Sequence, residues 1–493
     1  MLCNDDSALH SLPQHTPLCD LLECRLPLIL AGMGGVARSE LVAAVTQAGG
    51  FGFLGMVREP LALIEQEVRR VREQTSGRFG VNLIPAGTDP DLLQQQVQLC
   101  ISLDVPVVGL FWDIRRDVIE QLLGAGITIV HQVGNVAQAL EAREAGVHAL
   151  IVQGVEAGGH VYGRQALEKL LAEVLAVVDI PVAAAGGIAT GETVAKLLSQ
   201  GAQAAVLGTA LLATQESFAH PYHKQRVVEA GPQDTALTED FHINWPTHAA
   251  VRVLRNSVTR GEYGAPHTQV NRQVIGEEQG RPIYLFSTDS PLRSMTGDFE
   301  AMALYAGLGV QHISSIPSAA ERMEDIMQSA QREWRRLHPP QVELSSPICY
   351  APEFEHERNA ELIKRLNELL EAERAGVRVT VQTLAQVQDP ATRSLIDSVH
   401  RDEVQWCTML LHAIRTMDGK SSNRTGDFFE KAMAIADVGE RLAFLNRGQG
   451  WVAKKLREIL PMVDDATLSH SLTRMLDAHV ANLDKVNQHL ALG

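Results

Sequence analysis

The chain has no C-x-x-C pair, no long apolar run and no surplus of positive charge. Each absence excludes a class of protein. Six cysteines, Cys3, Cys19, Cys24, Cys100, Cys349 and Cys407, are scattered over 493 residues. That spacing excludes a zinc finger or ribbon, and a disulfide framework is not expected in so long a chain. Reduced structural thiols and a cytoplasmic location are the expectation. No stretch of roughly 18 residues is apolar and free of charge, so no membrane-spanning helix is expected. The first residues, MLCNDDSALHSLPQH, carry two early acids and no apolar core, unlike a signal peptide. Lys and Arg number 43 against 59 Asp and Glu, a formal net charge of −16. A chain so acidic lacks the positive field that nucleic acid or an anionic membrane requires of a partner. A G-x-G-x-x-G turn after the first apolar run is also missing, which weighs against an open dinucleotide-binding sheet.

Between Leu26 and about Ala213, short apolar runs alternate with stretches of helical period. The runs are 26–30, 51–54, 79–83, 107–111, 127–133, 149–152, 181–184 and 204–207. They are apolar throughout, which suits strands buried on both faces of a parallel sheet. Between them 39–48, 61–75, 90–103, 116–123, 136–145, 167–177 and 190–199 read as helices, the first with Ser39 as N-cap. About eight βα repeats close a (β/α)8 TIM barrel, an α/β fold; a doubly wound open sheet is the alternative. Residues 214–340 are less regular. Segments 247–259, 300–307 and 318–337 read as helices, within a lid-like insertion at about 214–300 and then the closing barrel helix.

The composition shifts at His338-Pro339-Pro340. The expected organisation is an N-terminal extension at 1–23, the barrel at 24–340, a linker at 341–354 and an all-α four-helix bundle at 355–493. Helices are expected over 355–385, 390–417, 428–459 and 466–490, each with apolar residues at i, i+3, i+4 spacing.

In such a barrel the chemistry sits at the C-terminal ends of the strands, and phosphate commonly binds after strands seven and eight. Gly186-Gly187-Ile188 with Thr190 and Gly191 follows the seventh run, and Gly208-Thr209 follows the eighth. Glycines let backbone N–H groups approach phosphate oxygens, and a helix N-terminus favours the negative charge. One such turn is also an ordinary βα connection; two in neighbouring strands point to phosphate. After the sixth run comes Gln153-Gly-Val-Glu-Ala-Gly158-Gly-His160. A histidine ordinarily titrates near neutrality, so His160 there could take a proton from a weak carbon acid, although a lone loop histidine, among 18, is as readily a surface residue. Asn82 in Gly80-Val-Asn82-Leu offers a donor and an acceptor at a strand end, and Ala31-Gly32-Met33-Gly-Gly leaves room for a planar ring.

Together these segments resemble the nitronate monooxygenase family, formerly called 2-nitropropane dioxygenases, over roughly residues 24–340. The resemblance is carried by Pro27-Leu-Ile-Leu-Ala-Gly-Met33, Ala48-Gly-Gly-Phe-Gly52, Gly80-Val-Asn82-Leu, Gln153-Gly-Val-Glu-Ala-Gly-Gly-His160, Ala185-Gly-Gly-Ile188 and Leu207-Gly-Thr209. It implies an FMN enzyme without a metal. By position Met33, Asn82, Gln153, Gly158, Gly187, Gly208 and Thr209 match flavin contacts, to which the residue reading adds Gly32 and Gly186; His160 matches the catalytic base. The family oxidises an alkyl nitronate with O2 to a carbonyl compound and nitrite, and His160 would take the α-proton of a neutral nitroalkane. A second expectation is a reductase similar to the FMN-dependent enoyl-acyl-carrier-protein reductase, which shares the barrel and a Gly-Gly-His element but needs a nicotinamide site. A third is a non-catalytic flavin-binding scaffold whose bundle recruits a partner.

The C-terminal segment resembles ferritin-like bundles in length and layout. Their di-metal sites want Glu from two helices and Glu-x-x-His from the other two. Here Glu371, Glu373, Asp397-x-x-His400, Glu403, Glu440, Asp477 and His479 are the candidates, and the second Glu-x-x-His is missing. These groups therefore read as solvated or structurally paired, with no metal. The bundle is expected to mediate self-association into a homo-oligomer or to pack on the barrel, with Trp406, Phe444 and Trp451 in its core.

Overall fold

A computed structural model of the chain describes residues 12–13, 15–246, 248–264, 272–339, 352–417, 419–422 and 424–492. The expected linker therefore lies, up to residue 351, outside the described residues. The chain divides into two compact units, Met1–Leu171 with Ile180–Pro340 and Ala172–Asp179 with Gln341–Gly493.

Eight parallel strands close the barrel of the first unit: β1 Leu28–Leu30, β2 Phe51–Gly55, β3 Gly80–Leu83, β4 Val107–Phe111, β5 Thr128–Val133, β6 Ala149–Gln153, β8 Val182–Ala185 and β9 Ala204–Leu207. A short strand of the rim, β7 (Gly159–His160), comes between β6 and β8 in the chain. The order is β1-β2-β3-β4-β5-β6-β8-β9, and β1 meets β9 with Ile29 opposite Val206. Nearly every strand residue is buried, as strands covered on both faces require. Ile29, Phe51, Phe53, Val107, Val130, Ala183 and Val206 share one core, into which Leu18 and Leu22 of the Pro17–Leu22 helix also pack. The intervening helices fall where the periodicity places them. Ser39 is not the cap of its helix: Arg38 holds that position, and the Ser39 N–H donates to Glu67 Oε2 at 2.7 Å.

The insertion differs from the expectation in two places. Of the helix expected over 247–259, the described residues 248–259 are not helical. Val251–Leu254 is a buried strand, β11, antiparallel between β10 (Thr235–Thr238) and β7. Its apolar residues satisfy a helical period as well as a strand, and cross-strand pairing decides between them. Segment 300–307 holds only a 3-10 turn, Phe299–Ala301, and then runs on to a bridge between Tyr305 and Val253. Ala301 to Leu304 and Ala306 are all buried, which leaves a helix there no solvent face. Val274–Glu278, Arg281–Tyr284 and Met295–Gly297 (β12, β13, β14) form a further sheet in the order β13-β12-β14. The closing helix, Ala319–Leu337, opens with a capping box between Ser318 and Glu321 and packs on the Gly191–Ser199 and Ser39–Gln47 helices.

The second unit contains the helices Pro352–Leu384, Pro390–Thr416, Phe428–Met433, Val438–Ile459 and Ala466–Leu492. The expected third helix is thus two. The chain breaks after Met433, and Asp437 restarts it by accepting from the Glu440 N–H at 2.8 Å. The four long helices pack in a ring, the first against the second and third, the fourth against the second and third. Trp406 is buried and Phe444 partly so, but Trp451 is 43% exposed, contrary to its expected place in the core. Among the described residues no helix is long and apolar enough to cross a membrane.

Candidate functional site

A cavity of about 510 Å3 opens at the C-terminal ends of the barrel strands. Gly32, Met33, Asn82, Gln153, Gly158, His160, Gly186, Gly187, Gly208 and Thr209 all line it. Because β8 and β9 are adjacent, with Ala185 opposite Val206, the two glycine turns stand side by side. Gly187 holds φ at 65°, a conformation that a side chain resists, and at Gly208 a Cβ would meet nothing nearer than Ala31 at 3.9 Å, an ordinary contact. Thr209 opens the short Thr209–Leu212 helix, and its Oγ1 accepts from the Gly307 N–H at 3.0 Å.

Two loops interlock over these turns. The Leu308 N–H donates to Glu156 O at 2.9 Å, and a Cβ on Gly158 would stand 2.5 Å from Gly307 N. A Cβ on Gly309 would overlap the carbonyl oxygen of Gly187. Glu156 is held in turn by the Leu167 N–H, which reaches both its carboxylate oxygens at 3.0 and 3.1 Å. Across the cavity, a Cβ on Gly32 would overlap Asn82, whose Nδ2 donates to Gly109 O at 3.3 Å. Gly32 thus makes room for Asn82.

Gln153 positions the base candidate. Its Nε2 donates to His160 O at 2.9 Å, and its Oε1 accepts from the Tyr162 N–H at 3.3 Å. His160 sits on β7, opposite Val251. The Trp245 ring stacks on the imidazole at 3.4 Å between centroids and 26° between planes, with Trp112 edge-on at 6.4 Å and Tyr305 at 5.6 Å. The His160 Nε2 is buried and has no protein partner. Burial first, and then the charge of Arg58, pushes the imidazole pKa down to about 3, so the ring is neutral at ordinary pH. Arg58 is anchored by Nη1 to Asn244 O at 2.8 Å and by Nη2 to Thr288 Oγ1 at 3.2 Å. The Tyr305 hydroxyl donates to Thr288 O at 2.8 Å, and burial raises its pKa, which keeps it protonated. Beside it, His223 Nε2 donates to Tyr305 O at 3.1 Å, so its Nδ1 must accept from Ser290 Oγ at 3.2 Å. A bare neutral imidazole next to a fixed guanidinium can take a proton from a carbon acid and stabilise the anion formed.

Arg58, Trp245, Ser290, Tyr305, Gly307 and Gly309 carry no motif in the sequence. They lie in the irregular insertion or just past a strand, and only the fold over the rim brings most of them to the cavity. Gly307-Leu-Gly309, whose first glycine ends the helix expected over 300–307, holds the one signal that could have marked a close backbone approach, two glycines a residue apart.

A family model described as nitronate monooxygenase matches residues 15–95 and 89–329, and one described as a domain of unknown function (DUF6306) matches 360–488. The (3aS,4S,5R,7aS)-5-hydroxy-7a-methyl-1-oxo-octahydro-1H-indene-4-carboxyl-CoA dehydrogenase of Rhodococcus jostii is 34% identical over 223 residues, 45% of this chain and 62% of that protein, just under two thirds of its length. A probable nitronate monooxygenase of Staphylococcus haemolyticus is 32% identical over 267 residues, 45% of this chain and 75% of that protein. Among solved structures, nitroalkane oxidase from Streptomyces ansochromogenes is 31% identical with a TM-score of 0.53, covering 65% of this chain and all of that one.

Proposed function

The chain belongs to the nitronate monooxygenase family of oxidoreductases, and from that premise we propose that it oxidises alkyl nitronates with O2, releasing a carbonyl compound and nitrite, with FMN as cofactor. One observation supports the reading: His160, whose buried Nε2 has no protein partner, lines the same cavity as the paired Gly186-Gly187 and Gly208-Thr209 turns. Those adjacent turns, uncrowded at Gly208, fit the phosphate tail of the flavin, and Met33 and Asn82 lie along the wall where its ring would stand. Bound there, FMN supplies the electron acceptor. The residues of the chain do the rest. His160 takes the α-proton of a neutral nitroalkane, Gln153 holds the His160 backbone and Trp245 the imidazole, Arg58 favours the nitronate charge, and the aromatic wall excludes water.

Purified protein should be yellow, with FMN released on denaturation, and nitronate with O2 should yield nitrite. His160→Ala should lower turnover of neutral nitroalkanes by roughly 10²–10⁴-fold and of preformed nitronates far less. Equal losses on both substrates would remove the base role; no flavin uptake would remove the whole reading.

A second reading, an oxidoreductase acting on an acyl thioester, is favoured by the 34% identity to a relative named as a carboxyl-CoA dehydrogenase. Rapid bleaching of the flavin by NADPH or NADH, coupled to an enoyl thioester, would select it. A flavin-containing chain that turns over neither substrate class and co-purifies with another protein would select the scaffold reading.

A further inference from the structure

Cys19 and Cys24 meet at the end of the Pro17–Leu22 helix, just before β1, and neither lines the cavity. The Cys24 N–H donates to Cys19 O at 3.0 Å and the Glu23 N–H to Asp20 O at 3.3 Å, with Glu23 at φ 53°. Those two bonds make a Schellman cap, which brings the side chains of its first and sixth residues together, usually as an apolar pair. Here both are cysteines, and their thiols hydrogen-bond to each other. Neighbours fix the turn on either side. The Arg25 and Leu26 N–H groups both donate to Gly49 O at 2.8 Å. Arg78 Nη1 donates to Leu21 O at 3.2 Å and to Glu23 Oε1 at 2.7 Å. The Thr16 hydroxyl accepts from the Cys19 N–H at 3.2 Å and donates to Gln203 O at 2.7 Å. The fold therefore holds the two sulfurs side by side.

The two sulfurs are not equivalent. Cys19 is 1% exposed, whereas Cys24 is half-buried, its Sγ 3.5 Å from Leu26 O. The hydrogen bond from Cys24 holds the Cys19 pKa below the usual thiol value, against the effect of its burial. The same bond, and then burial, raises the pKa of Cys24. Cys100 and Cys407 are buried, and burial raises both. Among the described cysteines, only this pair joins a sulfur within reach of solvent to a second one that favours the thiolate.

We propose that Cys19 and Cys24 form a reversible dithiol site, closed to a disulfide by hydrogen peroxide and reopened by a small thiol. It is independent of the reaction proposed for the cavity. The Cys24 sulfur attacks one peroxide oxygen while its proton passes to the Cys19 sulfur. The O–O bond breaks, leaving a sulfenic acid on Cys24 and a hydroxide ion, which takes the proton back from Cys19 as water. The Cys19 thiolate then attacks the Cys24 sulfur: the S–S bond forms, and the S–O bond breaks with loss of a second hydroxide. Two electrons have passed from the sulfurs to the peroxide. Two molecules of a small thiol return them and are themselves joined as a disulfide. Because the cap holds both sulfurs, the second step is intramolecular and outruns further oxidation of the sulfenic acid.

Full-length folded protein should be treated with hydrogen peroxide, alkylated under denaturing conditions and cleaved on the N-terminal side of aspartate. Cleavage before Asp20 separates the two cysteines, so mass spectrometry should find the Cys19 peptide joined to the Cys24 peptide in most chains. Cys100 and Cys407 should be alkylated as before, and dithiothreitol given ahead of the alkylating agent should free both thiols of the pair. Unfolding the chain in guanidinium before the peroxide should slow closure by roughly tenfold or more, because the cap no longer holds the sulfurs together. Cys19 and Cys24 both still alkylated after a treatment that oxidises free glutathione would overturn the proposal. So would Cys24 driven to sulfinic or sulfonic acid with Cys19 left free, a link from either to Cys3 in its place, or closure no faster in the folded chain than in the unfolded one.

Discussion

Trp245 lies face to face with His160, 3.4 Å between ring centroids and 26° between planes. The indole comes from the insertion and the imidazole from the rim of the barrel, so the insertion fixes one face of the proposed base. Trp245→Leu should loosen the ring. Turnover of a neutral nitroalkane should fall by roughly 10–100-fold, a part of what a general base contributes. Turnover of a preformed nitronate should change less. Nitrite release from the two substrates, compared side by side, checks this.

The acid limb of activity should lie low. A base acts only when unprotonated, and burial with the Arg58 charge holds the His160 pKa down to about 3. The kcat/KM for a neutral nitroalkane should therefore stay level as pH falls through 6.5 and decline only well below it. Arg58→Met removes the smaller of the two causes, so its limb should shift upward yet remain below 6.5. A wild-type limb at or above 6.5 would contradict the assignment.

Acid should also destabilise the fold through His223. Burial holds this histidine neutral, its pKa pushed down to about 4, against 6.5 for a free side chain. Below 6.5 the unfolded chain binds a proton that the folded one refuses, so stability is full above 6.5 and is lost as pH falls toward 4. Tm measured from pH 7.5 to 4.5 should fall less steeply in His223→Gln than in the wild type.

The glycine rim should tolerate no side chain at Gly309. A Cβ there would overlap the Gly187 carbonyl oxygen, which belongs to backbone and cannot swing aside. Gly309→Ala should cost about 1–3 kcal/mol of stability by forced overpacking. It should also lower flavin content per chain, read from the visible absorbance of the purified protein, because the displaced turn is half of the proposed phosphate cradle.

The barrel was legible because its signal is local. Each of the eight apolar runs lies within two residues of an observed strand, and a segment buried on both faces has little choice of composition. That the ten candidate residues would line one cavity was legible because glycine turns and strand ends have fixed places on a barrel. The insertion was not. Val251–Leu254 suits a helix as well as a strand in isolation, and its partners, Thr235–Thr238 and Gly159–His160, lie 16 and 92 residues away counted from Thr235 and Gly159 to Val251.

What the sequence alone determined is the closed barrel, its glycine-lined rim and the long amphipathic helices beyond it, since each follows from periodicity and residue type within one stretch of chain. Tertiary structure decided which side chains meet. It stacked Trp245 on His160, gave the cavity-lining Gln153 a second place as a brace for the His160 loop, and chose, for Glu373, Glu403 and His479, the buried and structurally paired arrangement over the solvated one that the spacing also allowed. Those meetings depend on contacts between residues far apart in the chain, and such contacts leave no local pattern to read.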